Sequence, residues 1–226
     1  PNTSSAASDV YKRQEFELAF AKAWFKLTHR DMGPKIRYLG DDVPAETLAW
    51  QDPLPERDYK PISDRDIQRL EAAIEDSGLT NTQLVGTAWA SASTYRGTDM
   101  RGGANGARIR LAPQNQWAIN NPDALAEVIT VLEEVQDEFN SGVSRGKQVS
   151  LADVIVLAGN VGVEQAAEEF GVEVSIPFTP GRVDAIEGSL DASSWSVMEP
   201  RHDGFRNYMA DLGFMSPSQA LIDKAD

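Results

Sequence analysis

The chain contains no cysteine in its 226 residues and only two histidines, His29 and His202. The missing thiols exclude disulfide frameworks, thiolate metal sites, iron–sulfur clusters and cysteine nucleophiles. No apolar run approaches the roughly 20 residues that a membrane helix requires, and no charged, then apolar leader opens the chain. We therefore expect a cytoplasmic protein without a membrane partner.

Positive charge is also scarce, because 21 Lys and Arg residues face 35 Asp and Glu residues, for a formal net charge of −14. Binding to a phosphate backbone depends on clustered Lys and Arg that displace counterions. Nucleic acid is therefore a poor partner for this chain. The apolar share of 41% and the charged share of 25% are those of an ordinary folded domain.

Helical periodicity dominates the pattern and predicts a mostly α fold with at most short strands. From Glu15 an amphipathic helix is expected, ending at Gly33-Pro34. Its apolar stripe consists of Phe16, Ala19, Phe20, Ala23, Trp24 and Leu27. Residues 1–14 are small and polar without periodicity, so we interpret them as a disordered or non-native leader.

Capping signals predict four further helices downstream of a proline-rich connection over residues 41–63, which we interpret as a domain boundary. The first follows Ser63 and buries Ile67, Leu70, Ala73 and Ile74. The others start at the Thr80–Gln83 capping box, at Asn121-Pro122 and at Ser150. The last of these is apolar on more than one face, which predicts a central position. Val172–Ile176 alternates weakly and is expected to form a short strand.

Candidate site residues are few. His29 is expected at the surface near a helix C-terminus, and His202 in a loop, since a single imidazole makes a poor metal site. The glycine-rich loop 96–110 carries Arg96, Arg101, Arg108 and Arg110. These arginines either pair with carboxylates as structural ties or converge to bind an anion. Trp24 and Trp89 are expected in the core, and the acidic pairs Glu133-Glu134 and Glu168-Glu169 on solvated helix faces.

Three stretches carry a specific resemblance: Ala21–Pro34 (AKAWFKLTHRDMGP), Thr87–Leu111 and Pro177–Arg182 (PFTPGR). Together with WQDP at 50–53, residues 150–164 and DGFRNY at 203–208, they resemble the catalase-peroxidases in sequence and in order. Members of that family are tandem duplications of a helical peroxidase fold, in which the first copy binds haem b and the second has lost it. The resemblance implies that 15–48 is the end of the haem domain and that 49–226 is a truncated, haem-free C-terminal domain.

The resemblance also implies that this chain is inactive by itself. A peroxidase needs a distal histidine and arginine, found as Arg-x-x-Trp-His on one helix, whereas the related segment here is Gly86-Thr87-Ala88-Trp89-Ala90. No cofactor-binding or metal-ligating residue is therefore expected in the chain. The full-length parent would dismute hydrogen peroxide and oxidise small donors, as part of the defence against oxidative stress.

By the same resemblance, Arg30 matches a mobile arginine that tunes catalase turnover in the full-length enzyme. The implied partners are the haem domain of the same subunit and further subunits of a homodimer or homotetramer. Two alternatives remain open at this stage. The chain is an independent anion or small-ligand binding module using loop 96–110, or an enzyme in its own right that binds haem through His29 or His202.

Overall fold

A computed structural model of the protein describes residues 3–29, 32–33, 35–98, 100–143, 146–188, 190–196 and 198–200. Two sequence-predicted residues, Arg30 and His202, lie outside this part of the chain. The described residues form α-helices joined by irregular loops and short 3₁₀ turns, which confirms the mostly α fold. The helices are α1 (Thr3–Thr28), α2 (Asp64–Glu75), α3 (Asn81–Ala92), α4 (Pro122–Gly142), α5 (Leu151–Glu169) and α6 (Ala192–Trp195).

The first helix is longer than its apolar periodicity predicts. It begins at Thr3, so residues 3–14 are part of the same helix in the structure. No proline or glycine occurs between Thr3 and Met32, so nothing in the sequence interrupts the helix there. The α-helix ends at Thr28, several residues before the expected stop at Gly33-Pro34.

Local capping explains the starts of α3 and α5. The Thr80 hydroxyl accepts from the Gln83 backbone N–H while the Gln83 side chain accepts from the Thr80 backbone N–H, which confirms the predicted capping box. Ser150 caps α5 by accepting from the Asp153 N–H. Before α4, Asn121 takes a left-handed φ of 49° and makes no side-chain cap bond, and Pro122 fills the first helical position as predicted.

Helix α5 lies at the centre of the core and contacts α2, α3 and α4. Its closest neighbour is α3, because Gly159 has no side chain. A Cβ placed at Gly159 would lie 2.5 Å from the Cβ of Ala88, so any larger residue would push the two helices apart. On α4 the apolar residues at helical spacing are buried (Leu125, Val128, Ile129, Leu132 and Phe139), as are Leu70 and Ile74 of α2, whereas Ala73 is exposed, contrary to prediction.

Two loop segments complete the framework. The connection over residues 41–63 is irregular, as its prolines predict, with a single 3₁₀ turn at Ala49–Gln51. Residues 172–176 form an extended loop, so the predicted short strand is wrong. Within the described residues only isolated β-bridges occur, such as the one joining Gly106 to Asp184. The Asp184 carboxylate also accepts from the backbone N–H groups of Leu151 and Ala152, and so ties the later loop to the start of α5.

Candidate functional site

A buried carboxylate, Asp52, joins three distant parts of the chain. Arg101 donates to its Oδ2 through Nε at 2.8 Å and through Nη2 at 2.6 Å. The indole Nε1 of Trp195 donates to its Oδ1 at 3.1 Å. Asp52 is only 7% exposed, and the side chain of Arg101 is 10% exposed. Such a charged pair is maintained only because hydrogen bonds satisfy both members.

Arg101 also reaches the end of α1, where its Nη1 lies 2.9 Å from His29 Nε2. A guanidinium has no acceptor, so Nε2 accepts and His29 is neutral with its proton on Nδ1. The imidazole packs against Trp50 with ring centroids 4.5 Å apart. His29 is therefore 3% exposed, and its predicted surface position is wrong. Trp50 and Arg101 cover it from elsewhere in the chain, which a local pattern does not reveal.

A cavity of about 240 Å³ opens beside this junction, between the turn after α1 and the arginine-glycine loop. Its walls include Lys35 and Arg108 in addition to His29, Asp52 and Arg101. Lys35 Nζ donates to the carbonyl oxygen of Ala45 at 2.7 Å. Arg108 is 3% exposed, and this burial lowers the pKa of its guanidinium.

The four arginines of loop 96–110 contact different kinds of partner. The expected pairing with carboxylates is confirmed for Arg101 and is wrong for Arg108 and Arg110, which donate to carbonyl oxygens. Arg108 lines the same cavity as Arg101, whereas Arg110 donates to Ala185 O at 2.7 Å and lines a different hollow. Arg96 lies over the Trp195 ring at 5.7 Å. Of the loop arginines, Arg101 and Arg108 line one cavity while Arg110 lines another, so the convergence expected of an anion-binding module does not include Arg110.

Asp52 is the residue of this junction whose role the sequence did not reveal. It belongs to the WQDP segment, but no spacing in that segment predicts a partner 49 residues away. The available signal was indirect: an arginine-rich loop in a folded chain requires carboxylates to face it.

A second cavity, of about 340 Å³, lies between α3 and α4. Gly86 and Ala90 form part of its α3 wall, and Leu125 and Val128 part of its α4 wall. Gly86 and Ala90 are the positions at which the peroxidase motif Arg-x-x-Trp-His has its arginine and its histidine. No imidazole or guanidinium occurs among the described residues that line this cavity, and its surface is mainly apolar. It therefore lacks groups that move protons or stabilise developing charge.

The expected core tryptophans are both exposed. Trp24 is 58% exposed and Trp89 is 40% exposed, so their predicted burial is wrong. On α1, Phe16, Phe20 and Trp24 stack along one face with ring centroids 6.4 and 6.5 Å apart. Phe16 and Phe20 are 70% and 61% exposed, so this aromatic stripe is uncovered by the described part of the chain. A contiguous exposed apolar face of this kind is typical of an interaction surface.

The acidic pairs singled out in the sequence lie in the described part of the chain. Glu133, Glu134, Glu168 and Glu169 are exposed on their helices, which confirms the predicted solvated faces. In the described ranges no group of three or more His, Asp or Glu side chains is arranged to hold a metal ion. Over the same residues, no helix combines the length and the apolar character needed to cross a membrane.

Comparison with known proteins assigns the chain to a family. The peroxidase family matches residues 18–220. Catalase-peroxidase 2 of Shewanella sp. strain MR-7 is 62% identical over 213 residues, which is 94% of this chain and 29% of that protein. The catalase-peroxidases of Bradyrhizobium sp. strain BTAi1 and Hahella chejuensis are 58% and 60% identical over 211 and 207 residues, or 93% and 92% of this chain. The chain thus spans about 29% of the length of these relatives. The match over most of its length, together with the helical fold, shows that this chain belongs to the peroxidase family.

Proposed function

We propose that the chain is a non-catalytic part of a cytoplasmic catalase-peroxidase and that it supports the haem domain of the same subunit. In this proposal residues 15–48 end the haem domain, and residues 49–226 form the haem-free second domain. The observation that carries the proposal is the buried contact between His29 and Arg101, which Asp52 holds in place. It links the end of α1 to a loop 72 residues further along the chain.

The contact is suited to a supporting role because it is directional and buried. Arg101 is held by two hydrogen bonds to one carboxylate oxygen, so its remaining Nη1 is fixed toward His29. Two further contacts join α1 to other later segments of the chain: Phe25 meets Trp50 edge to face at 5.0 Å, and Lys26 pairs with Asp191 at 3.0 Å. Hydrogen bonds from Ser194 and Ser193, together with that from Lys26, hold the pKa of Asp191 well below its usual range.

The chemistry of the α3 to α4 cavity supports the non-catalytic part of the proposal. Haem in a peroxidase requires an imidazole ligand to the iron, and peroxide cleavage requires the distal acid-base pair. Gly86 and Ala90 provide neither group, and His29 is engaged by Arg101 and Trp50 in another part of the structure. The donor set around this cavity therefore does not fit haem, and we derive no haem chemistry for this chain.

Arg30 enters the proposal as a catalytic residue of the full-length enzyme only. It follows directly after His29, the residue that Arg101 and Trp50 hold. We therefore assign Arg101, Asp52 and Trp50 a positioning role toward Arg30.

The aromatic stripe of α1 supports the presence of a further partner surface. Phe16, Phe20 and Trp24 face solvent in this chain, and burying such rings removes 150–250 Å² each from water, at roughly 25 cal/mol per Å². We propose that the rest of the haem domain covers this face, and that the parent assembles as a homodimer or homotetramer. The alternative of an independent anion module is weakened because Arg110 points to Ala185 and not to the cavity of Arg101 and Arg108.

Two experiments test the proposal. The purified chain is titrated with haemin while the visible spectrum and peroxide consumption are recorded, with the full-length parent as the positive control. We expect no saturable Soret shift and no turnover in the chain, and a one-to-one shift with turnover contradicts the non-catalytic assignment.

The positioning role is tested in the full-length parent with Arg101→Ala and, as the matched control, Arg110→Ala. Arg101→Ala is expected to lower catalase turnover by about ten-fold or more at unchanged haem content, because small misplacements of catalytic groups are costly. The pH dependence of turnover is recorded as well, since a purely structural loss leaves its shape unchanged. Equal effects of the two variants would contradict the positioning role.

A further inference from the structure

The cavity between α3 and α4 has walls that the structure describes without interruption. Its α3 wall falls within residues 82–90, and its second wall within residues 119–128. Its volume of about 340 Å³ lies at the small end of the range of about 300–1,000 Å³ that is typical of ligand sites. An apolar cavity of about 150 Å³ already holds benzene, so this one has room for an aromatic ring with a short substituent.

The lining of this cavity is uncharged. None of the described residues on its walls is acidic or basic, although 25% of the residues of the chain are charged. Its apolar surface includes Ala90, Leu125 and Val128, which are 5%, 5% and 2% exposed. A charged ligand would lose hydration here without gaining a counter-charge, so the cavity favours a neutral molecule.

Thr87 is the polar group on the wall that points to a ligand. It lines the cavity and is only 7% exposed. Its Oγ1 makes no hydrogen bond to a described residue, yet it is not one of the side-chain atoms that are fully buried without a partner. The hydroxyl is therefore still accessible to a molecule the size of water. By contrast, the Thr130 hydroxyl on α4 donates to the carbonyl oxygen of Ala126 at 2.8 Å, as helical threonines commonly do.

Gln83 provides a hydrogen-bond donor on the same wall. Its Oε1 accepts from the backbone N–H and from the hydroxyl of Thr80, each at 2.9 Å, so the capping box holds the amide in one orientation. Its Nε2 donates to no described residue and lies within reach of solvent. Gln83 and Thr87 are four residues apart, which places them on one face of α3. Together they offer a donor and a hydroxyl to a single ligand oxygen.

We propose that this cavity binds a small neutral molecule that consists of one apolar ring and a single hydroxyl or carbonyl oxygen. The ring packs against Ala90, Leu125 and Val128, and the oxygen bonds to Thr87 Oγ1 and Gln83 Nε2. The ligand is bound and not transformed, because the described walls carry no group that moves protons or stabilises developing charge. The inference rests on the cavity alone and holds whether or not the supporting role proposed above is correct.

The test compares two probes that differ by one hydroxyl group, para-fluorobenzyl alcohol and para-fluorotoluene, in the full-length parent by fluorine NMR. Gly86→Leu identifies the binding that belongs to this cavity, because a Cβ at Gly86 has no atom within 4 Å and a larger side chain fills the space. This variant is expected to weaken the binding of both probes at this site by about ten-fold or more.

Thr87→Val keeps the shape of the side chain and removes its hydroxyl. It is expected to weaken binding of the alcohol by about five-fold or more and binding of the toluene by less than about two-fold. The matched control is Thr130→Val, which removes a hydroxyl of α4 that lies outside the cavity and is bonded to its own helix. The control is expected to leave the affinity for both probes unchanged.

A crystal structure of the full-length parent soaked in the alcohol locates the probe, and we expect its oxygen within hydrogen-bond distance of Thr87 Oγ1. Three results would overturn the proposal: neither probe shows binding that Gly86→Leu removes, Thr87→Val weakens both probes equally, or side chains of the parent itself fill the cavity. None of these readouts depends on the His29–Arg101 contact, so the proposal and the supporting role fail separately.

Discussion

Replacing Asp52 by alanine is the sharpest test of how the junction is held together. The substitution leaves Arg101, whose side chain is 10% exposed, without its carboxylate. Breaking a buried pair from one side costs about 3–5 kcal/mol, because the remaining charge stays desolvated. Trp195 Nε1 also loses its acceptor at 3.1 Å, a further loss of about 1 kcal/mol. Water entering the adjacent cavity solvates part of the freed guanidinium, so we expect a net loss of about 4 kcal/mol.

Differential scanning calorimetry of the full-length parent measures this loss. For a unit of 150–250 residues each kcal/mol corresponds to about 2–4 °C, so Asp52→Ala is expected to lower the transition of this domain by about 8–16 °C. Asp58→Ala removes the same charge from an exposed position in the same proline-rich connection, and it is the matched control. A double variant with Arg101→Met should be more stable than the sum of the single losses, because it removes both charges together.

One result would refute the reasoning: a transition in Asp52→Ala that falls no further than in Asp58→Ala. The buried pair would then contribute nothing to stability, and the assignment of Asp52 as the residue that holds Arg101 toward His29 would fail. Strictly additive losses in the double variant would also contradict a direct interaction between the two side chains.

Three further predictions concern the core, the acid response and the α1 face. Gly159→Ala is expected to destabilise the chain by about 1–3 kcal/mol, because its Cβ would lie 2.5 Å from that of Ala88. Gly86→Ala has open space around its Cβ and should instead stabilise α3 by about 0.5–1 kcal/mol. Denaturant unfolding of the two variants measures the difference. Hydrogen bonds from Lys147 and Ser63 hold the pKa of Asp66 well below its usual 3.8, so its stabilising contribution is complete at neutral pH and declines progressively as the pH falls below about 4. Asp66→Asn should therefore lower stability most at pH 7 and by a smaller amount at about pH 3, as measured by denaturant unfolding at the two pH values. Phe20→Asp should reduce binding of a hydrophobic dye to the isolated chain and destabilise the full-length parent, since the ring is 61% exposed here and is proposed to be covered there.

Local rules were sufficient for much of the helical framework. The starts of α3, α4 and α5 follow from Thr80, Pro122 and Ser150, because capping depends on residues within one turn of each other. The buried stripe of α4 and the central position of α5 follow from apolar spacing in the same way. The family resemblance identified the peroxidase fold from contiguous motifs, and the match over residues 18–220 confirms it.

The expectations that failed concern burial and long-range pairing. The α1 stripe has the spacing of a buried face, yet Phe16 and Trp24 are exposed, because periodicity states which face is apolar and not whether a partner is present in the chain. His29 shows the reverse. Its neighbours in sequence suggest a surface position, yet it is buried by Trp50 and Arg101, which lie 21 and 72 residues further along the chain.

What the sequence determined by itself is therefore the presence of helices α1 to α5, the starts of α3, α4 and α5, and the family, since each depends on short-range patterns or on contiguous motifs. The tertiary structure alone decided which of four similar arginines pairs with a carboxylate, which of them faces a cavity, and how the end of α1 is held. The physical reason is that a salt bridge or a cavity depends on the positions of side chains brought together by packing. Arg101 lies 49 residues after Asp52 in the chain, and Trp195 lies 94 residues after Arg101. Only the packed core brings both side chains within hydrogen-bond distance of Asp52.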